Sequence, residues 1–172
     1  YPEGILPMCY PSDPIRGKMR DPSQLHEFIP QWNLWYILES EEYLLERCPE
    51  ANREEFRQSI YGILDFMSHY ENADGLLQDV PGWNFVEWSE ANDWVKDVNY
   101  PTSFLYSRAL EAAYRLYGDT AAMEKAERIR LRAAELAFDG EVFCDHAVMQ
   151  DGVLVNQPHI SEVCQYYAIL FG

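Results

Sequence analysis

Positive charge is scarce in this sequence: its 172 residues carry 13 Lys and Arg against 29 Asp and Glu, a net charge of -16. A basic stripe for phosphate backbones cannot be assembled from so few cations, which excludes nucleic acid as a partner, and an anionic membrane surface would repel the chain for the same reason. Long apolar runs are also missing, since nothing approaches the roughly 20 residues that cross a bilayer. The opening Tyr1-Pro2-Glu3-Gly4 has none of the basic and apolar pattern of a signal peptide. Cysteine is sparse and scattered. Cys9, Cys48, Cys144 and Cys164 form no Cys-x-x-Cys pair, so zinc-ribbon and thioredoxin-type readings have no support, and the sequence selects none of their three disulfide pairings. His26, His69, His146 and His159 fall at no three- or four-residue helical interval with a third ligand. Even Cys144-x-His146 with His159 lacks metal-site spacing, so neither a metal nor another cofactor is called for.

What is present is apolar. Hydrophobic residues make up 48% and aromatics 15% of the chain, too much for a disordered polymer and enough for one domain with a real core. Residues 1–25 hold five of the ten prolines, which predicts an irregular arm lying over a helical layer. A helix is predicted from about Ile29, with Pro30 in its first turn and Trp32, Trp35, Tyr36, Leu38, Tyr43 and Leu44 as apolar cover, ending at Cys48-Pro49. Its Glu39-Ser40-Glu41-Glu42 run reads as a solvated face. Asn52 with Glu55 signals the start of a second helix, along which Phe56, Ile60, Ile63, Leu64 and Met67 recur at helical spacing. Pro101 or Thr102 opens a third, with Ala109, Ala112 and Ala113 on a face that permits close helix approach. Gly118-Asp119-Thr120 breaks it, and Asp119 or Thr120 caps a fourth carrying Ala122, Ala126, Ile129, Ala133 and Leu136. Residues 141–148 and 153–155 flank the Gln150-Asp151-Gly152 turn as a short β-hairpin, and a last helix starts near Ser161. Helix pairs alternating with long loops suit either a four-helix bundle or a toroid of helical hairpins with the loops on its rim.

The stretch from Trp83 to Leu110 concentrates chemistry, with three tryptophans and four acids in a loop leading into a helix. In Trp83-Asn84-Phe85-Val86-Glu87-Trp88 a carboxylate stands between aromatic rings. Aromatic faces cover the C–H side of a pyranose and carboxylates accept hydrogen bonds from its hydroxyls, so such a loop is a carbohydrate-site candidate. The competing reading is that these rings staple the loop to the core.

Gly75-Leu76-Leu77, the Trp83-to-Trp88 run, Tyr100-Pro101-Thr102-Ser103-Phe104-Leu105-Tyr106-Ser107-Arg108-Ala109-Leu110 and Leu116-Tyr117-Gly118-Asp119 together resemble the catalytic domain of bacterial α-L-rhamnosidases (glycoside hydrolase family 78). The tail Ile160-Ser161-Glu162-Val163-Cys164-Gln165-Tyr166-Tyr167-Ala168 with Phe171-Gly172 fits as well, so the resemblance covers roughly residues 20–172. It implies an all-α fold, a partial (α/α)6 toroid with short β-hairpins in its connecting loops, of which residues 1–172 form a single fragment. It also implies a sugar pocket with Trp35 and the Glu87-Trp88 pair as substrate-binding residues, beside Trp83. Glu87 stands where the family has Asp, which keeps the charge but lengthens the arm. Glu27 is similar in position to another pocket acid, with Gln31 as its rival. The family's general acid, on a motif near Glu-Arg-x-x-Trp, and its general base have no counterpart in these residues, and inverting hydrolysis needs both.

The resemblance therefore implies part of a glycoside hydrolase whose parent acts on a rhamnose-containing glycan or glycoside, the isolated chain being inactive. The compartment is open between bacterial cytoplasm, periplasm and exterior. Two other readings stand beside it. In one, the chain is a self-contained glycosidase with Glu87 as acid and Glu90 or Asp93 as base. In the other, it is a non-catalytic helical module that binds a glycan or protein partner through Trp83, Trp88 and Trp94. The sequence begins without Met, and Phe171-Gly172 falls in an apolar helical stretch, so a piece of a longer chain is expected. Bare helix faces of a toroid slice would drive self-association. Sedimentation velocity is expected to show concentration-dependent oligomers, and a highly thermostable monomer at every concentration removes the expectation.

Overall fold

The computed structural model describes residues 3–8 and 28–172. The described chain is mostly helical: α1 (Pro30–Glu42), α2 (Glu54–Ser68), α3 (Tyr100–Tyr117), α4 (Thr120–Ala137) and α5 (Glu162–Phe171). It is not purely α. Strands β1 (Val98–Asn99), β2 (His146–Gln150) and β3 (Val153–Asn156) form an antiparallel sheet in the order β1-β2-β3. The expected hairpin is present as β2 and β3, with Val148 opposite Val155, and Asp151-Gly152 take the left-handed conformations of its turn. The strand the sequence concealed is β1. It comes from the loop before α3 and pairs Val98 with Ala147, joining the two long loops.

Local sequence accounts for the helix ends. Pro30 occupies the first turn of α1, where its missing N–H is no loss, and a π-helical turn (Tyr43–Arg47) carries the helix on to Cys48. Asn52 Oδ1 accepts from Glu54 N and its amide donates to Glu55 Oε1. Asn99, Asp119 and Ser161 cap α3, α4 and α5 through side-chain oxygens that accept from Thr102, Ala122 and Cys164 N–H groups. Gly118, at φ 72, closes α3 in the left-handed region, and Asp119 begins α4 at once.

Thirteen of the 18 residues of α3 are buried, and it packs against all four other helices. Facing it on α4 are Ala122, Ala126, Ile129, Ala133 and Ala137, and small residues on both sides bring the two helices close together. Gln31 at the start of α1 bonds Thr102 at the start of α3, and Glu41 further along α1 pairs with Arg108 further along α3. Tyr100 N donates to Asp145 O beside the start of α5, and Trp35 and Tyr167 meet at matching heights on α1 and α5. The odd-numbered helices therefore run parallel, and α2 and α4 return antiparallel to them. Short turns, residues 48–53 and 118–119, lie at one end, whereas the long connections 69–99 and 138–161 lie at the other.

The face that α1 buries differs from the expected one. Leu34, Ile37, Glu41 and Leu44 form it, while Trp32 and Tyr43 are exposed and Trp35, Tyr36 and Leu38 are half-buried. Of the arm, residues 3–8 fall within the described part. Ile5 is buried, Leu6 exchanges two hydrogen bonds with the Asn33 amide, and Gly4 lies so close to α2 that a Cβ there would sit 2.3 Å from Gly62 O. Among the described residues no helix is long and apolar enough to cross a membrane.

Ser161 does two things at once, capping α5 and donating from its N–H and hydroxyl, each at 2.6 Å, to the fully buried Asp145 carboxylate. Ser161→Ala is expected to cost about 2 kcal/mol in urea denaturation. Ser89→Ala, which uncaps only an exposed turn, is expected to cost about 0.5 kcal/mol or less. Equal effects would show that the Asp145 contact contributes nothing.

Candidate functional site

The long-loop end carries the Trp83-to-Trp88 run, and amide side chains, among them the buried Gln31, fix its path. Gln31 Nε2 donates to Asn84 Oδ1 at 3.0 Å and to Thr102 Oγ1 at 2.9 Å, while its Oε1 accepts from Phe85 N at 3.0 Å. Asn92 Oδ1 accepts from both Val86 N and Glu87 N, and Trp83 N donates to Phe28 O. Gln31, weighed above as a pocket contact, is thus consumed in tying the loop to α1 and α3. Glu27 lies outside the described residues.

Two of the expected site residues come together here. Trp83 and Trp88 meet edge-to-face with centroids 6.4 Å apart, Phe85 lies 4.8 Å from Trp88, and Trp32 of α1 adds a fourth ring 6.3 Å from Phe85. Trp88 is 85% exposed and Trp32 47%. The stapling alternative accounts for Val86, which is buried, and not for Trp88, whose ring forgoes the roughly 2–3 kcal/mol that burial would return. Trp32, part of the expected apolar cover of α1, falls off the 34, 37, 41, 44 stripe, and that offset is the signal that it faces outward.

Trp35 occupies a different level. Its indole N–H donates to Tyr167 OH at 3.1 Å, its ring packs against Tyr167 and Phe171, and it lines a cavity of about 380 Å³ with Glu41, Arg108 and Leu170. Burial raises the Tyr167 pKa, the Trp35 hydrogen bond opposes that rise, and the Glu87 charge adds to it. Glu87 Oε1 accepts from Ser89 Oγ at 2.7 Å. Glu90 and Asp93 lie on the 3-10 turn Glu90–Asp93, exposed and without side-chain hydrogen bonds among the described residues.

The fold also assembles groups that spacing had kept apart. His146 Nε2 and His159 Nδ1 are 2.8 Å apart, with their rings edge to edge and 16° from parallel, and Trp94 lies 6° from parallel on His159 at 4.7 Å. The pair closes through the β2 strand and the loop after β3, which no helical interval could reveal. Among the described residues no group of three or more His, Cys, Asp or Glu is placed to hold a metal ion. Cys144, Sγ donating to Ala137 O, has its thiol pushed up to about 11 by burial, and burial raises Cys164 as well, which suits inert core thiols.

One expectation fails inside α1. Glu39 and Glu42 are solvated, but Ser40 and Glu41 are buried, and Glu41 pairs with Arg108 at 2.5 Å and Arg115 at 2.7 Å. Position 41 is four after Ile37 and three before Leu44, so it lies on the core stripe, and two guanidinium groups from α3 offset its burial.

The long-loop end thus offers stacking faces from Trp88, Trp83 and Trp32, with the Glu87 carboxylate as acceptor. Against known families and curated proteins, the chain matches no family model and no curated protein.

Burial is the largest influence on His146 and holds its pKa below the usual histidine value; the Lys96 carbonyl and Asp97 oppose this, and His159 reinforces it. Below about pH 6.5 the unfolded chain takes up a proton that buried His146 refuses, so folding stability is full above that pH and declines as pH falls toward the folded value. Thermal melts are expected to show this decline, with the slope between about pH 7 and about pH 5 reduced in His146→Phe. An identical slope in the variant removes the assignment.

Proposed function

We propose that this chain is part of a glycoside hydrolase similar to α-L-rhamnosidases, and that its long-loop end is a sugar-binding rim. In this reading Trp83, Glu87 and Trp88 contact a rhamnose-containing glycan, with Trp35 contributing from below. Glu27 is part of the same assignment. The carrying observation is the 85% exposure of Trp88 within an aromatic cluster beside Glu87, on a loop whose backbone is pinned by Gln31 and Asn92. An exposed indole on a rigid support is a preorganised stacking platform.

The toroid belongs to the proposal too. A parallel row of α1, α3 and α5 backed by antiparallel α2 and α4, with long loops at one end only, is the arrangement that repeated (α/α) hairpins would produce. In such a ring the apolar outer side of α5, with Tyr166, Ile169 and Leu170 exposed, would face a further hairpin. The same exposed residues favour a second reading, a helical module that binds a protein partner through apolar contacts. Neither the general acid nor the general base is assigned to these residues.

Methyl α-L-rhamnoside titrated into the 172-residue chain is expected to shift Trp88 and Trp83 indole signals in NMR spectra. Trp88→Ala should weaken binding about tenfold or more while leaving the melting temperature within a degree or two, and Glu87→Gln should weaken it several-fold. The chain alone should not hydrolyse an aryl rhamnoside. Turnover that Glu87→Gln abolishes would make Glu87 a catalytic acid and overturn the division of labour proposed here. Indifference to rhamnosides would favour the protein-binding module.

A further inference from the structure

A cavity of about 810 Å³ runs along the free edge of the sheet, against β3. It touches every residue of 152–156, and successive side chains of a strand point to opposite faces, so a cavity that meets five in a row follows the backbone edge as well as one face. Met149 and Leu154, opposite each other on that face, give it an apolar floor. The far bank is formed by Arg132 and Leu136 of α4 and by the turn 72–74. Both banks are braced. Asn156 Nδ2 donates to Leu136 O and its Oδ1 accepts from Tyr100 OH, while Arg132 Nε donates to Asp74 Oδ1 at 2.9 Å and its Nη1 to Glu135 Oε2 at 2.7 Å.

The hairpin determines which backbone groups face this groove. Asp151 and Gly152, at φ 49 and 83, make a two-residue turn that closes on Gln150 and Val153, and hydrogen-bonded and unbonded pairs alternate from there. Val148 with Val155 is therefore a bonded pair, whereas Met149 with Leu154 and Ala147 with Asn156 are not. The Gln157 N–H, which donates to His146 O, continues the alternation. Leu154 and Asn156 thus direct both N–H and C=O away from β2, and neither backbone has a hydrogen-bond partner among the described residues. β3 also lacks the usual defences of an edge: it contains neither Pro nor Lys, and its pairing with β2 has no bulge.

We propose that this groove binds an extended, basic segment of a protein partner, which adds to β3 as a further strand and lays an apolar side chain against Leu136, Met149 and Leu154. Charge selects the partner. On the far bank one guanidinium, Arg132, is shared by two carboxylates, Asp74 and Glu135, and Asp151 adds a further negative charge at the hairpin turn. Two copies of a chain of net charge -16 repel each other, so a second β3 is the poorer occupant. No tryptophan lines the groove, so it lacks the ring faces on which a sugar would stack. Trp83, Glu87 and Trp88 take no part in it, and neither role needs the other.

The probe is the peptide acetyl-Lys-Val-Thr-Val-Lys-amide, titrated into the 172-residue chain and followed by NMR. At saturation it should slow hydrogen exchange of the Leu154 and Asn156 amides about tenfold or more, and leave Val153 and Val155, already bonded to β2, unchanged. Strand pairing uses alternate amides of the peptide. N-methylation at the two valines or at the threonine should therefore weaken binding about tenfold in one analogue and leave the other as it was. Leu154→Pro removes a free N–H and no ladder bond, so it should weaken binding about tenfold while the melting curve stays in place. Replacing both lysines of the peptide by glutamate should weaken binding about tenfold at low salt. A peptide that protects neither amide, or methylated analogues that lose affinity equally or not at all, overturns strand addition whether or not Leu154→Pro folds. A glutamate peptide that binds as tightly as the lysine peptide overturns the basic partner. Protection of the two amides that rises with protein concentration in the absence of peptide makes the occupant a second copy and overturns the proposal.

Discussion

The rest of the structure depends on the burial of α3. It is enclosed by four helices, and two kinds of contact make that enclosure workable. Toward α4 the contact is between small side chains, Ala109, Ala112 and Ala113 against the alanines of α4, so backbones approach closely and dispersion does the binding. At its start the contact is polar. Tyr100, Thr102, Ser103 and Asn99 are all buried, and each hydroxyl or amide there has a partner: Thr102 bonds Asn99 and Gln31, Ser103 donates to Asn99 O and accepts from Leu77 N, and Tyr100 OH donates to Asn156. Buried polar groups left unpaired would each cost on the order of 1–3 kcal/mol, so this end tolerates little rearrangement.

That polar start is why the loop before α3 has a single path. A stretch of about thirty residues without long helix or strand would ordinarily sample many conformations. Here it is held at intervals by Asn72, whose side chain accepts from Asp74 and Leu76 N–H groups, by Gln31, by Asn92 and by Asn99, which reaches back to Trp94 O. Asp79 and Asp97, both with positive φ, bond each other's backbone and brace the entry to β1. Amide side chains supply donor and acceptor together, and a loop rich in them can be stiff without a hydrophobic centre of its own. The exposed indoles therefore sit on a support that does not need a ligand to become ordered.

Much of this was legible in the residues. Helix positions followed from apolar spacing, the Asp119 cap from a side chain that hydrogen-bonds free N–H groups, and the starts of α2 and α5 from Asn52 with Glu55 and from the stretch near Ser161. The hairpin followed from Asp151-Gly152. What escaped is what only three dimensions supply. β1 is two residues long and leaves no period to detect. Glu41 shows the limit of reading charge as exposure, because its partners Arg108 and Arg115 lie some seventy residues away on another helix. Trp32 and Trp35, three apart on one helix, share the same apolar spacing, yet Trp32 joined the aromatic cluster of the long-loop end and Trp35, the one expected to bind substrate, a cavity on the level of Tyr167. His146 and His159 became neighbours through a strand and a loop.

The two-residue connection of α3 to α4 has a consequence for how such a chain can vary. Gly118 ends one helix and Asp119 starts the next, so no residue between them is free to absorb a change in length. One inserted residue would turn α4 by about 100° about its own axis, carrying its alanine seam away from α3 and bringing its charged side inward. The loops at the opposite end have no such gearing, since their length is decoupled from helix rotation. Lineages of this architecture would therefore keep one end invariant in length and record their divergence at the other, where the indoles are.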